Sequence, residues 1–376
     1  MEHPAVLCAG LEPTIIGGSR TDAFEKTIAH LIKGLGRQYS CVSAAAGRGD
    51  EVYFAFCAGN RRDYDGDVLY HPDPQPVNPD TLYDMASVTK LISTTMVALR
   101  LMEEGKFSLY DSLWRFIDAG SFRNAEIHHL MTHTSGVTPH IPLYRVCSSP
   151  DEALSAIAGS VPVCGLGEDV NYSCMGYILL QKVLERIAGR GLDELAREYV
   201  FEPLGMKTAC YRPESDNVAS TEYSPHENRY VRGHVHDENA HFLGGVSGNA
   251  GVFCSLSDVI SFASMLSCRG VSKGKVYLGS HTFETAVRNH TQGLSEARGL
   301  GFALHGGMLS ASGELMSPDS YGHNGYTGTS VYVDGRTGIY AVLLTNSVHY
   351  GRDNRAPFFR ARRIFHNILL AETDRL

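Results

Sequence analysis

Several things are missing from this chain, and each absence closes off a class of function. No stretch of its 376 residues is long and apolar enough to span a bilayer, so no membrane association is expected. The opening Met-Glu-His-Pro-Ala-Val-Leu-Cys has neither a basic start nor an apolar run, so it does not read as a secretory signal. There is no basic stripe and no interleaving of basic and aromatic residues. With a formal net charge of -8, the chain is not expected to bind nucleic acid. The nine cysteines are odd in number, scattered, and never spaced Cys-x-x-Cys. They read as reduced thiols of a cytoplasmic protein, most of them small core residues. His-Glu-x-x-His is also missing, which removes the commonest zinc-hydrolase signature. Internal repeats and low-complexity linkers are absent too.

What the chain does contain is enough apolar residue, 43%, for a large core. Ala23–Leu35 has the period of an amphipathic helix. Residues 41–46 and 51–58 alternate like strands around a Gly-Arg-Gly-Asp turn. From about 106 to 296 the pattern is helical and loop-rich, with helices near 151–158, 175–188, 192–200 and 258–266. Short β-branched and aromatic runs return at 300–305, 322–324, 329–334 and 339–346, and residues 358–370 read as a closing helix. Strands at both ends with helices between them predict an α+β fold. One antiparallel sheet of about five strands, flanked by terminal helices, would be completed by both termini. Residues 1–105 and 297–376 would form that domain, and 106–296 an inserted, mainly helical one.

The most informative stretch is Ser87-Val88-Thr89-Lys90, at the head of an apolar helix that runs to Gly105. Helical spacing puts a hydroxyl and an amine on one face, one turn apart. Apolar neighbours such as Leu91, Ile92 and Met96 would desolvate the lysine and lower its pKa. The helix N-terminus would favour a Ser87 oxyanion. A serine can be made nucleophilic this way without a histidine. A second Ser-x-x-Lys begins at Ser272, within Gly270-Val271-Ser272-Lys273-Gly274. That stretch fits a Gly-x-Ser-x-Gly elbow, but a helix precedes it where the elbow needs a strand, so Ser272 reads as a loop residue.

Two further elements carry chemistry. Asn171-Tyr172-Ser173-Cys174 sits at a loop-to-helix junction, where Tyr172 is a candidate base or proton shuttle if an ammonium such as Lys90 lies beside it. The ordinary alternative is a packed tyrosine with a satisfied hydroxyl. His323-Asn324-Gly325-Tyr326-Thr327-Gly328 opens a strand pair, and its glycines allow close backbone approach. The Tyr326 and Ser87 amides would then form an oxyanion hole. His305-Gly306-Gly307 is a weaker match to the same pattern. Ser247-Gly248-Asn249 is an alternative to the Tyr172 element.

Taken in order, these elements resemble the serine β-lactamase and penicillin-binding-protein superfamily. They are most similar to its class C-like branch of D-Ala-D-Ala carboxypeptidases, esterases and D-aminopeptidases. Asp84–Lys90, Leu130-Met131-Thr132-His133-Thr134-Ser135-Gly136, Phe201–Met206, Gly299–Phe302 and Gly322–Ser330 all carry the resemblance. It implies Ser87 as the acylated nucleophile, Lys90 as its activator, Tyr172 as a partner in acid–base work, and no cofactor or metal. It also implies that His323, Asn324, Gly325 and Tyr326 line the substrate with Cys174, and that the substrate is a small ester or amide. Two residues depart from the family pattern: Cys174 stands where Asn is usual, and His323 where true lactamases carry Lys. Both changes argue against efficient lactam hydrolysis. Val235–Ala240 and Gly244–Phe253 resemble a subgroup linked to cell-wall recycling, so a muropeptide amide or a D-Ala-D-Ala peptide is the alternative substrate. The rivals are an acylated sensor that does not turn over and a metal hydrolase built on His129, His133, His234, His236 and Asp237.

Overall fold

A computed structural model describes residues 13–62, 75–225, 227–306 and 311–376. Cys8, the opening segment and Gly307 lie outside these. The sheet strands, in chain order, are β1 (Thr14–Gly17), β2 (Cys41–Arg48), β3 (Glu51–Arg62), β4 (Gln75–Pro76), β5 (Ala303–Leu304), β6 (Tyr321–Asn324), β7 (Ser330–Val333) and β8 (Ile339–Thr345). Their order is β1-β3-β2-β8-β7-β6-β5, with β4 also on β3, and every pairing is antiparallel. The sheet therefore combines strands from residues 14–76 with strands from residues 303–345. It has eight strands where about five were expected; β1 and β4 are too short to show alternation, and β5 is the two-residue remnant of the 300–305 run.

Alternation along the long strands divides their side chains between two cores. Ala44, Phe54, Phe56, Ala341 and Leu343 face one side, where they pack with Phe24, Leu31, Phe358, Phe365 and Leu369 of the terminal segments. Helices α1 (Glu25–Ile32) and α5 (Ala356–Thr373) cover this face. The buried Glu372 carboxylate ties them together, accepting from the Thr27 hydroxyl at 2.7 Å and the Thr27 amide at 3.1 Å. Ala45, Ala55, Cys57, Val342 and Leu344 face the other side. They join one apolar cluster that continues through the helix headed by Ser87 and on into helices α3 (Cys174–Ala188) and α4 (Leu256–Ser267).

The Ser87 helix differs from the expectation in its first turns. Residues Lys90–Thr95 are wound as a π-helix before the α-helix α2 (Met96–Glu103) takes over. Such widened turns concentrate at functional sites because they re-aim side chains. Every residue of the π segment is buried. No helix among the described residues is long and apolar enough to cross a membrane.

Candidate active site

The approach to Ser87 is a tight, strained turn. Ala86 has φ of +45°, a conformation that residues with a Cβ rarely adopt. The buried Asp84 carboxylate holds it there. Oδ1 accepts from the Ala86 amide at 2.8 Å, and Oδ2 from the His236 amide at 2.7 Å. The third element is stitched onto the same turn. Thr327 Oγ1 donates to the Asp84 carbonyl at 2.7 Å, and Thr329 Oγ1 to the Met85 carbonyl at 3.0 Å. The end of β6 is thereby held against the head of the Ser87 helix. Among the described residues, neither the Ser87 amide nor the Tyr326 amide has an acceptor.

Lys90 is fully buried, and its Nζ donates to Ser87 Oγ at 3.0 Å and to the Asn249 carbonyl at 3.1 Å. Cys174 Sγ lies 3.5 Å from the same nitrogen, and the Tyr172 ring centroid 4.8 Å away. Three segments remote in sequence thus converge on one amine. Burial alone would push the ammonium down, but electrostatic attraction to Cys174 and Tyr172, with a smaller part from Asp237, outweighs it. The amine is held above its ordinary range. This corrects the expectation of a lysine lowered by its apolar helix neighbours: the decisive groups come from distant segments.

The second element is clamped by the Leu130–Gly136 loop. His133 Nδ1 accepts from the Ser173 amide at 3.1 Å, and the His133 carbonyl from the Asn171 amide at 2.8 Å. The His133 ring packs 4.4 Å from the Tyr172 ring, centroid to centroid. Ser173 caps α3 through its hydroxyl, accepting from Gly176 N at 2.9 Å, and this places Cys174 at the first turn. Burial pushes the His133 imidazole well below its usual range, so it is a neutral support.

His323 is buried on β6, with Nδ1 2.9 Å from the Asn324 carbonyl oxygen. Burial, helped by the positive charges of Lys90 and Arg298, lowers its pKa to about 3. It is therefore neutral at pH 7. Its ring stands 6.1 Å from that of Tyr172. Asn324 Oδ1 accepts from the Tyr332 hydroxyl at 3.1 Å.

Sequence reasoning missed Arg298. Its guanidinium lies over the Tyr172 ring, 5.4 Å from the centroid, and pairs with Glu296. It brings a fixed positive charge to a site whose histidine is neutral. The available signal was its position immediately before the Gly299–Phe302 element. Asn249 was singled out for its side chain, yet its carbonyl is what reaches Lys90. Its Oδ1 is occupied by the Ser247 hydroxyl at 2.6 Å, and Ser247 is fully buried.

The other candidates fall elsewhere. Val271–Ser272 forms a small hairpin with Lys275–Val276, after α4, so no strand-to-helix elbow exists at Ser272. His305 Nδ1 is 3.0 Å from Ser312 Oγ. His234 and His236 pair with Glu227 and Glu222, and Asp237 caps the short helix Glu238–Phe242. Among the described residues the metal-like grouping is Glu126, His128 and His129, which does not include His133, His234 or His236.

The antiparallel sheet with helices on both faces defines a fold class, and comparison with known proteins gives it a family. The family model described as Beta-lactamase matches residues 25–364, and the chain belongs to that family. It is 28% identical over 348 residues to the "Putative D-alanyl-D-alanine carboxypeptidase" of Escherichia coli K12, covering 83% of this chain and 79% of that one. A protein of the same name from Escherichia coli O157:H7 is 30% identical over 337 residues, with 80% and 76% covered. Among solved structures, EstCE1, "a hydrolase with promiscuous acyltransferase activity", superposes with a TM-score of 0.72 at 20% identity, covering 92% of this chain and 99% of that one. A penicillin-binding protein homolog from Caulobacter crescentus does so with 0.72 at 17% identity, covering 96% and 100%. These last two establish the shared fold.

Proposed function

We propose that this chain is a serine hydrolase that works through an acyl-enzyme at Ser87 on a small ester or amide. The observation that carries the reading is the 3.0 Å contact from Lys90 Nζ to Ser87 Oγ, at the head of a buried helix and beside Tyr172. In the forward step Ser87 Oγ attacks the substrate carbonyl and its proton passes to the Lys90–Tyr172 pair. The proton is assigned to the pair rather than to either residue. The Ser87 and Tyr326 amides receive the oxyanion. The bond to the leaving group then breaks, and the pair returns its proton to that group. Water repeats the sequence on the ester, and Ser87 leaves with its proton restored.

The muropeptide amide or D-Ala-D-Ala peptide is the second reading, supported by the name of the two curated relatives and by the Val235–Ala240 element. A panel of p-nitrophenyl esters, a cephalosporin, D-Ala-D-Ala peptides and N-acetylmuramoyl-L-alanine, run beside Ser87→Ala, tests both. Turnover of at least one panel member that disappears in Ser87→Ala is expected. Turnover that survives in Ser87→Ala and is lost to a chelator would replace the proposal with a metal hydrolase.

A further inference from the structure

The turn that follows β6 is pinned from outside the site by one arginine. Arg355, at the head of α5, is 7% exposed, and its Nη2 donates to Ser347 Oγ at 2.6 Å. Ser347, two residues past β8, passes the contact on. Its hydroxyl donates to the Thr327 carbonyl at 3.1 Å, and its amide to the same oxygen at 2.6 Å. The guanidinium also lies over the Tyr326 ring, 4.5 Å from the centroid. One side chain thus holds two neighbouring residues, Tyr326 through its ring and Thr327 through Ser347. Both lead back to Ser87. The Thr327 hydroxyl reaches the Asp84 carbonyl. The Tyr326 ring stacks on His236 at 6.0 Å and 18°, and the His236 amide holds the Asp84 carboxylate that fixes the Ala86 turn.

Packing stability gives a poor account of this arginine. Its Nε and Nη1 are buried without a hydrogen-bond partner. Glu222, whose charge reaches it, is paired with Arg352 and His236. Burial outweighs the attractions and holds the guanidinium below its usual range. An apolar side chain of similar size would avoid that desolvation. It would not supply a planar cation for the Tyr326 face or a donor for Ser347. Phe358 and Phe359 of α5 close on the same guanidinium, with centroids 5.7 and 5.2 Å away, and keep it in place.

We propose that Arg355 is a positioning residue for the reaction at Ser87. It fixes the turn of residues 326–328, so that the Tyr326 amide stays aimed at the developing oxyanion. The inference rests on the reading of Ser87 as the acylated nucleophile. With Nε and Nη1 buried and Nη2 given to Ser347, the guanidinium acts through the turn and not on the substrate.

The test compares p-nitrophenyl acetate with its thiono analogue, in which sulfur replaces the carbonyl oxygen. Sulfur accepts hydrogen bonds weakly, so the thiono ester draws little on the amide donors. Arg355→Met keeps the bulk and loses the charge and the donor; Arg355→Lys keeps the charge and loses the planar fork. Each should lower kcat for the oxygen ester about ten- to a hundredfold, the scale of a small misplacement at a reacting centre, with KM within about threefold. The thiono ester should lose at least about fivefold less. Ser347→Ala, which cuts the link to Thr327 and keeps the cation, should move the ratio of the two esters in the same direction. That ratio does not depend on how much of a variant is folded, because both esters meet the same active molecules. In a Tyr326→Ala background Arg355→Met should add less than its full cost, as for residues in contact. Equal losses on the two esters, or a ratio that neither Arg355→Met nor Ser347→Ala moves, would overturn the assignment of Arg355 and leave Ser87 untouched. Ester turnover that persists in Ser87→Ala, run alongside, would sink the reading of Ser87 and this inference with it.

Discussion

A side chain at Gly325 has no room beside Met85: a Cβ there would stand 2.5 Å from the Met85 carbonyl oxygen, two residues before Ser87. It would also fall 2.3 Å from Thr329 Oγ1, which is itself bonded to that carbonyl. The glycine is needed for close approach of two backbones. Gly325→Ala should therefore push the end of β6 away from Ser87 and separate the two amides proposed as the oxyanion hole. Losing one such donor costs about a hundred- to a thousandfold in kcat. Ester turnover should fall by that order, with circular dichroism retained. Turnover within threefold of wild type would remove Tyr326 from the site.

Lys90→Ala and Tyr172→Phe should each lower ester turnover at least about a hundredfold, in line with general-base contributions. Their double variant should lose less than the product, because groups that act as one unit are not additive. Ser247→Ala should cost far less, since that hydroxyl is spent on Asn249 Oδ1. A dead Ser247→Ala beside a nearly intact Tyr172→Phe would transfer the second element to Ser247–Asn249.

Short activated esters should be cleaved faster than β-lactams. Cys174 is a weak donor where the family carries an amide, and neutral His323 offers a lactam carboxylate no charge. Besides Lys90, which is bonded to Ser87 and Asn249, Arg298 is a nearby fixed cation, so carboxylate recognition at the site should draw on it. Arg298→Gln should reduce kcat/KM for carboxylate-bearing substrates about ten- to a hundredfold relative to p-nitrophenyl acetate, the worth of one charged hydrogen bond. Equal losses on both substrate types would make Arg298 a support for Tyr172 instead. Cephalosporin hydrolysis faster than every ester tried would defeat the substrate argument.

Acid should destabilise the fold before its carboxylates titrate. Burial lowers His323 and His366 to about 3 and His128 and His349 to about 4. In the unfolded chain all four return to about 6.5. Between those limits the unfolded state binds more protons, so stability is complete above about pH 6.5 and declines as pH falls towards 3–4. Glu222, lowered to about 2, adds a further loss at lower pH. The urea midpoint at pH 5 should lie below that at pH 7.5. A midpoint that stays level or rises would contradict neutral burial of these histidines.

The Ser87–Lys90 contact was legible because it is local: two residues three apart on one helix face carry the whole signal. The long strands were legible from alternation, which the two cores then divide between them. Arg298 and the Asn249 carbonyl were not legible, because no spacing rule joins residue 90 to residues 249 and 298. The direction of the Lys90 shift was misread for the same reason. Its helix neighbours predict desolvation, whereas Cys174 and Tyr172, from the α3 junction, decide the balance. Short strands such as Thr14–Gly17 are exposed along their length, so they carry no alternation to detect.

The central claim is that Ser87 is the residue acylated by substrate. Intact-mass measurement after treatment with a fluorophosphonate, followed by peptide mapping, tests it most directly. The account predicts one adduct per chain, on the peptide carrying Ser87, absent in Ser87→Ala and slowed in Lys90→Ala. An adduct mapped to Ser272 or Ser247, or no adduct with any acylating or phosphonylating probe, would contradict it.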